Sequence, residues 1–503
     1  MSPPCAPYPP LGSKNAEPSL NGCLASCDRL AGRTVPLCIW FFSSLELHGF
    51  LSMIRRILSA SLATLGLRPW VRLPRRILFP LIASLILALF GSEHSRLWAA
   101  GGEGQWPQFR GPQGDGHTTI GGLPVEFSEQ SHVAWKVAVP GKAWSSPVVW
   151  GKQVWMSNAN EEGTQLSVVV VDASSGKVLR DEILFHIAEP QFCHKFNSYA
   201  SPTPVLEEGR AYVTFGSPGT ACLDTKTGQK IWERTDFVCN HFRAAGSSPI
   251  LWRNLLIMNF DGSDFQYLVA LNKDTGETVW RTERSVDFQD LDADGKPKAE
   301  GDYRKGFSTP HVFEWQGRPI LLSSGAKAHY AYDPATGKEL WRIDEHSSHS
   351  PCTRPVIGDG LAFIPTGHGK AGLLALKLGG EGLLDEKSVA WRMTRAFPNK
   401  PSVTLVGNLL FVINDAGIAS CLDAKSGENL WSERLGGNFS SSPIYSDGKL
   451  YVGNEEGKFF VFAADRKFEL LAENEFDDGF MASPAVADSA MFLRSKSHLY
   501  RIQ

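Results

Sequence analysis

Between positions 190 and 370 this 503-residue chain gathers side chains able to bind anions, ligate metals or carry protons. Cys193-His194-Lys195-Phe196-Asn197, Asn240-His241-Phe242-Arg243 and His346-Ser347-Ser348-His349 form one set, with Cys352 and Arg354 close behind. Asp261-Gly262-Ser263-Asp264, Lys327-Ala328-His329 and Gly367-His368-Gly369-Lys370 form another. Imidazole, guanidinium, amide and ammonium groups lining one cleft favour an anionic or metal-bearing ligand, since each offers N–H donors or a nitrogen lone pair. The candidate ligand-binding residues are therefore His194, Asn197, His241, Arg243, His346, His349, Arg354, His368 and Lys370. The competing reading is that these side chains cap exposed backbone groups at loop junctions. His346 and His349 alone do not specify zinc, because no further ligands stand at recognisable spacing. Neither Gly-x-Ser-x-Gly nor His-Glu-x-x-His appears to support a hydrolase.

A different chemistry is suggested by Asp290-Leu291-Asp292-Ala293-Asp294-Gly295. Carboxylates at alternate positions before a glycine bend resemble the start of a Ca²⁺ loop, which makes Asp290, Asp292 and Asp294 candidate metal ligands. Glu300 falls at loop position 11, where an EF-hand needs its bidentate glutamate at 12, and Pro297 opposes a flanking helix. The alternative is a solvated acidic turn.

These residues must be positioned by a repeat. An Asp or Asn, a Thr/Ser-Gly turn and a Trp recur in Asp224 to Trp232, Asn272 to Trp280, Asp333 to Trp341 and Asp423 to Trp431. An interval of about 40 to 60 residues is the signature of an array whose units bury their apolar faces against one another. Each phrase follows an alternating apolar run such as Tyr330-Ala331-Tyr332, so the local reading is strand, tight turn, strand. Ser146-Pro147, Ser201-Pro202, Ser248-Pro249, Thr309-Pro310, Arg354-Pro355, Ser442-Pro443 and Ser483-Pro484 open longer units, with an eighth, less regular start near Pro401 to Val403. Three strands follow each opening, and the phrase adds a fourth. The expected fold is all-β, an eight-bladed propeller of four-stranded antiparallel blades over residues 133–503. Residues 133–139, with Trp135, are expected to supply the missing outer strand of the last blade. Strand direction then sends the short Gly turns to one face and the candidate ligand residues to the other.

The ends and composition bound the setting. Residues 1–100 read as a leader. Arg75-Arg76, the apolar Ile77 to Phe90 and Trp98-Ala99-Ala100 make a secretory signal within 53–100, and 1–52 reads as a start placed too far upstream. Residues 101–132 form an N-terminal arm. A periplasmic or secreted protein with no stable membrane span after cleavage is expected, an uncleaved anchor being the alternative. A net charge of -3 carries no basic stripe for nucleic acid. Cys222 and Cys421, each just before Leu-Asp, read as small buried hydrophobes.

The phrases resemble the pyrroloquinoline quinone (PQQ) repeat shared by quinoprotein dehydrogenases and the outer-membrane assembly lipoprotein of BamB type. The resemblance runs from Trp135 to the C-terminus, and Trp106 to Pro112 resembles the lead-in of exported bacterial PQQ-like proteins. It implies a ligand-binding or protein-interaction propeller whose partner is a small molecule or an exported envelope protein. It also implies two alternatives, a PQQ-dependent alcohol dehydrogenase of polyvinyl alcohol type and an outer-membrane protein assembly factor. Quinoprotein alcohol dehydrogenases carry two adjacent cysteines, a floor tryptophan, a catalytic Asp and Ca²⁺ ligands. No two cysteines are adjacent in the expected mature chain, and the Asp and Ca²⁺ ligands have no matching motif, so PQQ and Ca²⁺ are cofactors the resemblance allows without assigning residues to them.

Overall fold

The computed structural model describes residues 104–370 and 372–503; the expected leader lies outside the described residues. Eight four-stranded antiparallel blades span 148–186, 205–234, 250–283, 311–344, 356–393, 404–434, 444–475 and, as blade 8, 485–502 with Val133–Ala138. The first strands of neighbouring blades touch one another at the junctions of blades 1 with 2, 5 with 6, 6 with 7 and 8 with 1. In blade 3, Leu255–Asp261 and most of Gln266–Asn272 are buried throughout, because neighbouring blades cover both faces, whereas the outer Thr278–Glu283 is mostly exposed. Such two-sided burial explains why the middle strands read as near-continuous apolar runs. Among the described residues the helices are two short 3₁₀ turns, and none is long and apolar enough to cross a membrane.

Closure follows the expected route. Val133–Ala138 pairs antiparallel with His498–Ile502, with Lys136 opposite Tyr500, so the first and last strands share one sheet and no edge is left open at the seam.

The repeated phrase joins blades. The Asp224 carboxylate accepts the Lys226 and Thr227 N–H groups and the Thr227 hydroxyl, and Gly228 takes φ 79° to finish the turn. The tryptophan of one blade then reaches the phrase of the next. Trp232 donates Nε1–H to Lys273 O (2.9 Å), Trp280 to Pro334 O (3.1 Å), Trp391 to Ala424 O (2.9 Å) and Trp135 to Ala173 O (3.1 Å). Each ring lies against the next phrase's glycine; a Cβ on Gly276 would stand 2.8 Å from the Trp232 ring. Two details add to the sequence reading. The stretch from Trp341 to Trp431 spans two blades, with Trp391 serving blade 5 after a longer outer connection. Part of that connection, Gly382–Leu384, pairs parallel with Glu339–Asp344, setting Gly382 opposite Trp341.

A second circuit runs around the axis. Ser146 N–H donates to Thr203 Oγ1 (3.0 Å), Thr203 to Ser248 Oγ (2.9 Å) and Ser248 to Thr309 Oγ1 (3.0 Å). It resumes from Arg354 N–H to Ser402 Oγ (3.0 Å), Ser402 to Ser442 (2.9 Å), Ser442 to Ser483 (2.9 Å) and Ser483 back to Ser146 (3.0 Å). The link missing is the one from Thr309, because Arg354 has no hydroxyl. Blade 2 therefore opens at Thr203-Pro204, two residues beyond the expected Ser201-Pro202, and blade 6 opens at Ser402, which no proline follows.

The arm closes one end of the channel. Trp106, 1% exposed, bridges to Val149 of blade 1, and Pro107 O accepts Leu206 N–H (2.7 Å) from blade 2. Phe109 O accepts from Arg354 (2.8 Å), and Arg110 donates to Val403 O (2.9 Å) and Pro443 O (3.2 Å). The arm then follows blade 7, where Ser446 Oγ, beside the Asp447-Gly448 turn, donates to Ile120 O (2.6 Å). It thus crosses the axis on the short-turn face and leaves the opposite face open.

Candidate functional site

Inter-blade loops and the links between second and third strands meet on the open face, around a cavity of about 460 Å³. Its walls include Ser146, Thr203, Ser248, Thr309, Ser442 and Ser483, the hydroxyls of the axial circuit, with Phe109 of the arm also lining it. Trp144, His194, Phe196, Asn197, Arg243, Phe307, Cys352, His368, Lys400 and Asp415 complete most of the lining. Small hydroxylated residues on the innermost strands leave the lumen; bulkier ones there would fill it.

Four of the nine candidate ligand residues line the cavity: His194, Asn197, Arg243 and His368. Asn197 is fixed from both ends, donating to Arg243 O (2.8 Å) and accepting from Ser201 Oγ (2.7 Å). His349 is brought beside His368 by a two-residue pairing, Ser348–His349 against His368–Gly369, which sets the two rings 6.0 Å apart. Burial lowers the pKa of all three imidazoles, His349 to about 4, with Arg243 adding to the effect on His194 and Lys305 to that on His349. They are neutral donors and acceptors at neutral pH, and the charge at the mouth belongs to other groups.

The remaining candidates lie elsewhere. His241 is 4% exposed inside the wall between blades 2 and 3, where Nε2 accepts Ser217 N–H (2.9 Å) and burial pulls its pKa to about 4. That is the capping role. Arg354 occupies an axial position, but its guanidinium turns away from the mouth and onto the arm. His346 stands outside the cavity, 3.9 Å from Asp344, and Lys370 is exposed beside Ser347, bonding through its backbone.

The acidic insertion does not assemble a cation cage. Asp290 is 4% exposed and held by Arg304 through three contacts of 2.5 to 3.2 Å. Asp292 spends Oδ1 on the N–H groups of Asp294 and Lys296, which closes the turn, and Asp294 is exposed. Among the described residues no group of three or more His, Cys, Asp or Glu could hold a metal. The cavity's own carboxylate, Asp415, accepts the Asn399 and Lys400 N–H groups (2.9 and 3.1 Å). A Ca²⁺ ion wrapped by about six to eight oxygens does not fit that donor set.

Several charged residues around the cavity carried no repeat signal. Lys305, 2% exposed, comes from the insertion and pairs with Asp302, which also takes Arg243 in a two-point contact (3.1 and 3.2 Å). Burial works to raise the Asp302 carboxyl pKa, and the hydrogen bonds from Arg243 and Lys305 outweigh it and bring it below the usual range. Lys400 lies 4.3 Å from the Phe196 ring and bonds Glu455 (2.8 Å), linking loops from distant blades across the mouth. The Ser/Thr residues were visible in the sequence as unit openings; their identity at nearly every opening was the available clue to a hydroxyl-lined lumen. All five cysteines among the described residues are free, and Cys222 and Cys421 are buried opposite Trp232 and Trp431, as expected of small hydrophobes.

The sequence matches the family described as outer membrane protein assembly factor BamB over residues 166–304, 264–378 and 382–467, more than half of the chain. It is 23% identical over 288 residues to the BamB of Shewanella oneidensis, covering 55% of this chain and 64% of that protein. To a quinoprotein ethanol dehydrogenase of Pseudomonas putida it is 24% identical over 250 residues, covering 44% and 37%. The chain thus spans less than two thirds of either relative. BamB from Moraxella catarrhalis superposes with TM-score 0.51 at 11% identity, over 74% of this chain and 99% of that one. Quinohemoprotein alcohol dehydrogenase from Comamonas testosteroni does so with 0.58 at 12%, over 80% and 81%. These structures share the fold. With phrase, blades and family match in agreement, the chain belongs to the BamB family of PQQ-repeat β-propellers.

Proposed function

We propose that this protein is a binding propeller of the bacterial envelope that takes a small ligand into the open end of its channel, without a complete quinoprotein active site. The observation that carries the reading is the asymmetry of the channel: its own arm closes one end, and the other opens on a cavity of about 460 Å³, within the usual range of ligand pockets. The lack of adjacent cysteines and the commitment of Asp415 to backbone N–H groups support binding over alcohol oxidation. Export rests on the leader pattern and on the outer-membrane role in the name of the BamB relatives. Reconstitution with PQQ and Ca²⁺ is the direct test. No quinone absorption and no dye-linked alcohol oxidation are expected; either signal would establish the dehydrogenase alternative.

A second reading, docking of an envelope protein, is favoured by one feature. Phe192, Val238, Phe265 and Tyr303 are 64%, 61%, 45% and 40% exposed on the loops of the open face. Apolar side chains grouped in this way mark interaction surfaces. Photo-crosslinking from position 192 in the envelope should capture a discrete partner, and capture at the same yield from position 425 on the opposite face would count against docking.

A further inference from the structure

The hydroxyls of the axial circuit have spent their oxygens and kept their hydrogens. Ser146, Thr203, Ser248, Thr309, Ser442 and Ser483 each accept a backbone N–H, and among the described residues none donates to a protein acceptor. All six line the cavity. A hydroxyl that accepts one hydrogen bond is polarised to donate another. The lumen is therefore ringed by primed O–H donors.

A second observation concerns charge beneath and beside that ring. Arg110, Arg354 and Arg494 are 1%, 3% and 3% exposed, and none is hydrogen-bonded to a carboxylate side chain. Arg494 donates to Ser145 O (3.0 Å), Ser157 O (3.0 Å) and Asn158 Oδ1 (3.2 Å), one residue from the ring at Ser146. Arg110 reaches Pro443 O and Val403 O, adjoining the ring at Ser442 and Ser402, and Arg354 itself occupies a ring position. The Nε of Arg110, the Nε of Arg354 and the Nδ1 of the buried His311 have no partner. Burial lowers the guanidinium pKa values, to about 10 for Arg110 and about 9 for the other two, and leaves all three charged at neutral pH. Asp115 lies near enough to favour the charged forms of Arg110 and Arg354, but three buried cations with no carboxylate hydrogen-bonded to them are costly, and an anion placed nearby offsets that cost.

We propose that the inner part of the cavity is an oxyanion site, in which the hydroxyl ring donates to a carboxylate or phosphate group of the ligand and the three guanidiniums, buried behind the wall and out of contact with the ligand, add positive charge; this rests on the reading of the cavity as a ligand site. A cationic ligand is repelled by the arginines. A neutral one gains hydrogen bonds from the ring and nothing from the charge.

Calorimetric titration of the purified protein with inorganic phosphate and, separately, with acetate tests this at constant ionic strength set with sodium chloride. Saturable binding of at least one oxyanion is expected, and the stronger of the two arms names the group recognised. Thr309→Val, which deletes one donor, should weaken it about tenfold, as loss of one hydrogen bond to a charged group does, and Thr309→Ser should restore it. Lys425→Gln on the opposite face should bind as wild type. Should Thr309→Val fail to fold, the wild-type titrations still decide. Binding of neither oxyanion, or a chloride response of equal size, overturns the proposal. Binding of neither together with a quinone spectrum on PQQ reconstitution overturns the binding-propeller reading as well; without that spectrum, the oxyanion site alone is lost.

Discussion

His241 and Arg243 stand two residues apart in one loop and do unrelated work. Arg243 faces the cavity, and His241 is sealed behind it as an acceptor for Ser217 N–H. The consequence is a pH-dependent stability. Burial holds the folded His241 pKa at about 4, against 6.5 for the free side chain. Between those values the unfolded chain takes up a proton that the folded chain refuses, so stability falls as pH drops from about 6.5 to about 4 and changes no further from this site below that. The effect is of order 3 kcal/mol at most for one such group. Wild-type urea midpoints should decline between pH about 7.5 and about 5, whereas His241→Asn should start lower and decline less. An equal slope in the variant would remove His241 as the source. The residue types of the site were legible in the sequence, and His194, Asn197, Arg243 and His368 do converge. Which side of a loop each side chain takes was not, because that is set by packing against blades 45 or more residues away, as with Asn197 on Arg243.

At the scale of elements, the phrase and its tryptophan form a joint between consecutive blades. Trp280 is buried, and its loss to Ala should cost about 3 to 5 kcal/mol; Trp431, partly exposed, should cost less. Trp280→Phe keeps most of the ring and removes the bond to Pro334 O, for an expected loss of about 1 kcal/mol. Chemical denaturation of the three variants checks the order; equal losses for Trp280→Ala and Trp431→Ala would show that burial does not grade these joints. Blades 1 and 7 lack the Trp: blade 7 has Ala472 in its place, whereas blade 1 tests the same idea by nature with Arg180, which donates to Lys226 O (2.6 Å) and packs on Gly228. The joint was readable wherever strand, turn and Trp stood in close order. It was hidden in blade 5, where the long outer connection separates Trp391 from any turn glycine of its own, and at Arg180, which matches by hydrogen bonding and not by residue type.

At the scale of the whole molecule, two segments far apart in sequence complete the fold. Val133–Ala138 finishes blade 8, as the missing outer strand of the last unit and the position of Trp135 led one to expect. Its removal should expose the His498–Ile502 edge, lower stability by several kcal/mol and promote association, which denaturation and sedimentation would report. A cooperatively folding monomer lacking these residues would contradict that role. The plugging of the channel was not readable, since Arg110 meets Val403 and Pro443 across 293 and 333 residues and no local pattern records such a contact.

The hydroxyl circuit has one break, between Thr309 and Arg354, while the chain's own seam lies within blade 8, where Val133–Ala138 meets His498–Ile502 and the circuit runs on unbroken from Ser483 to Ser146. The two discontinuities sit on different sides of the wheel, so each is bridged by the other's intact connection. A circular permutant with new termini in the blade 4 to blade 5 loop would place both at one junction, and of all eight possible openings it should be the one that unfolds most readily.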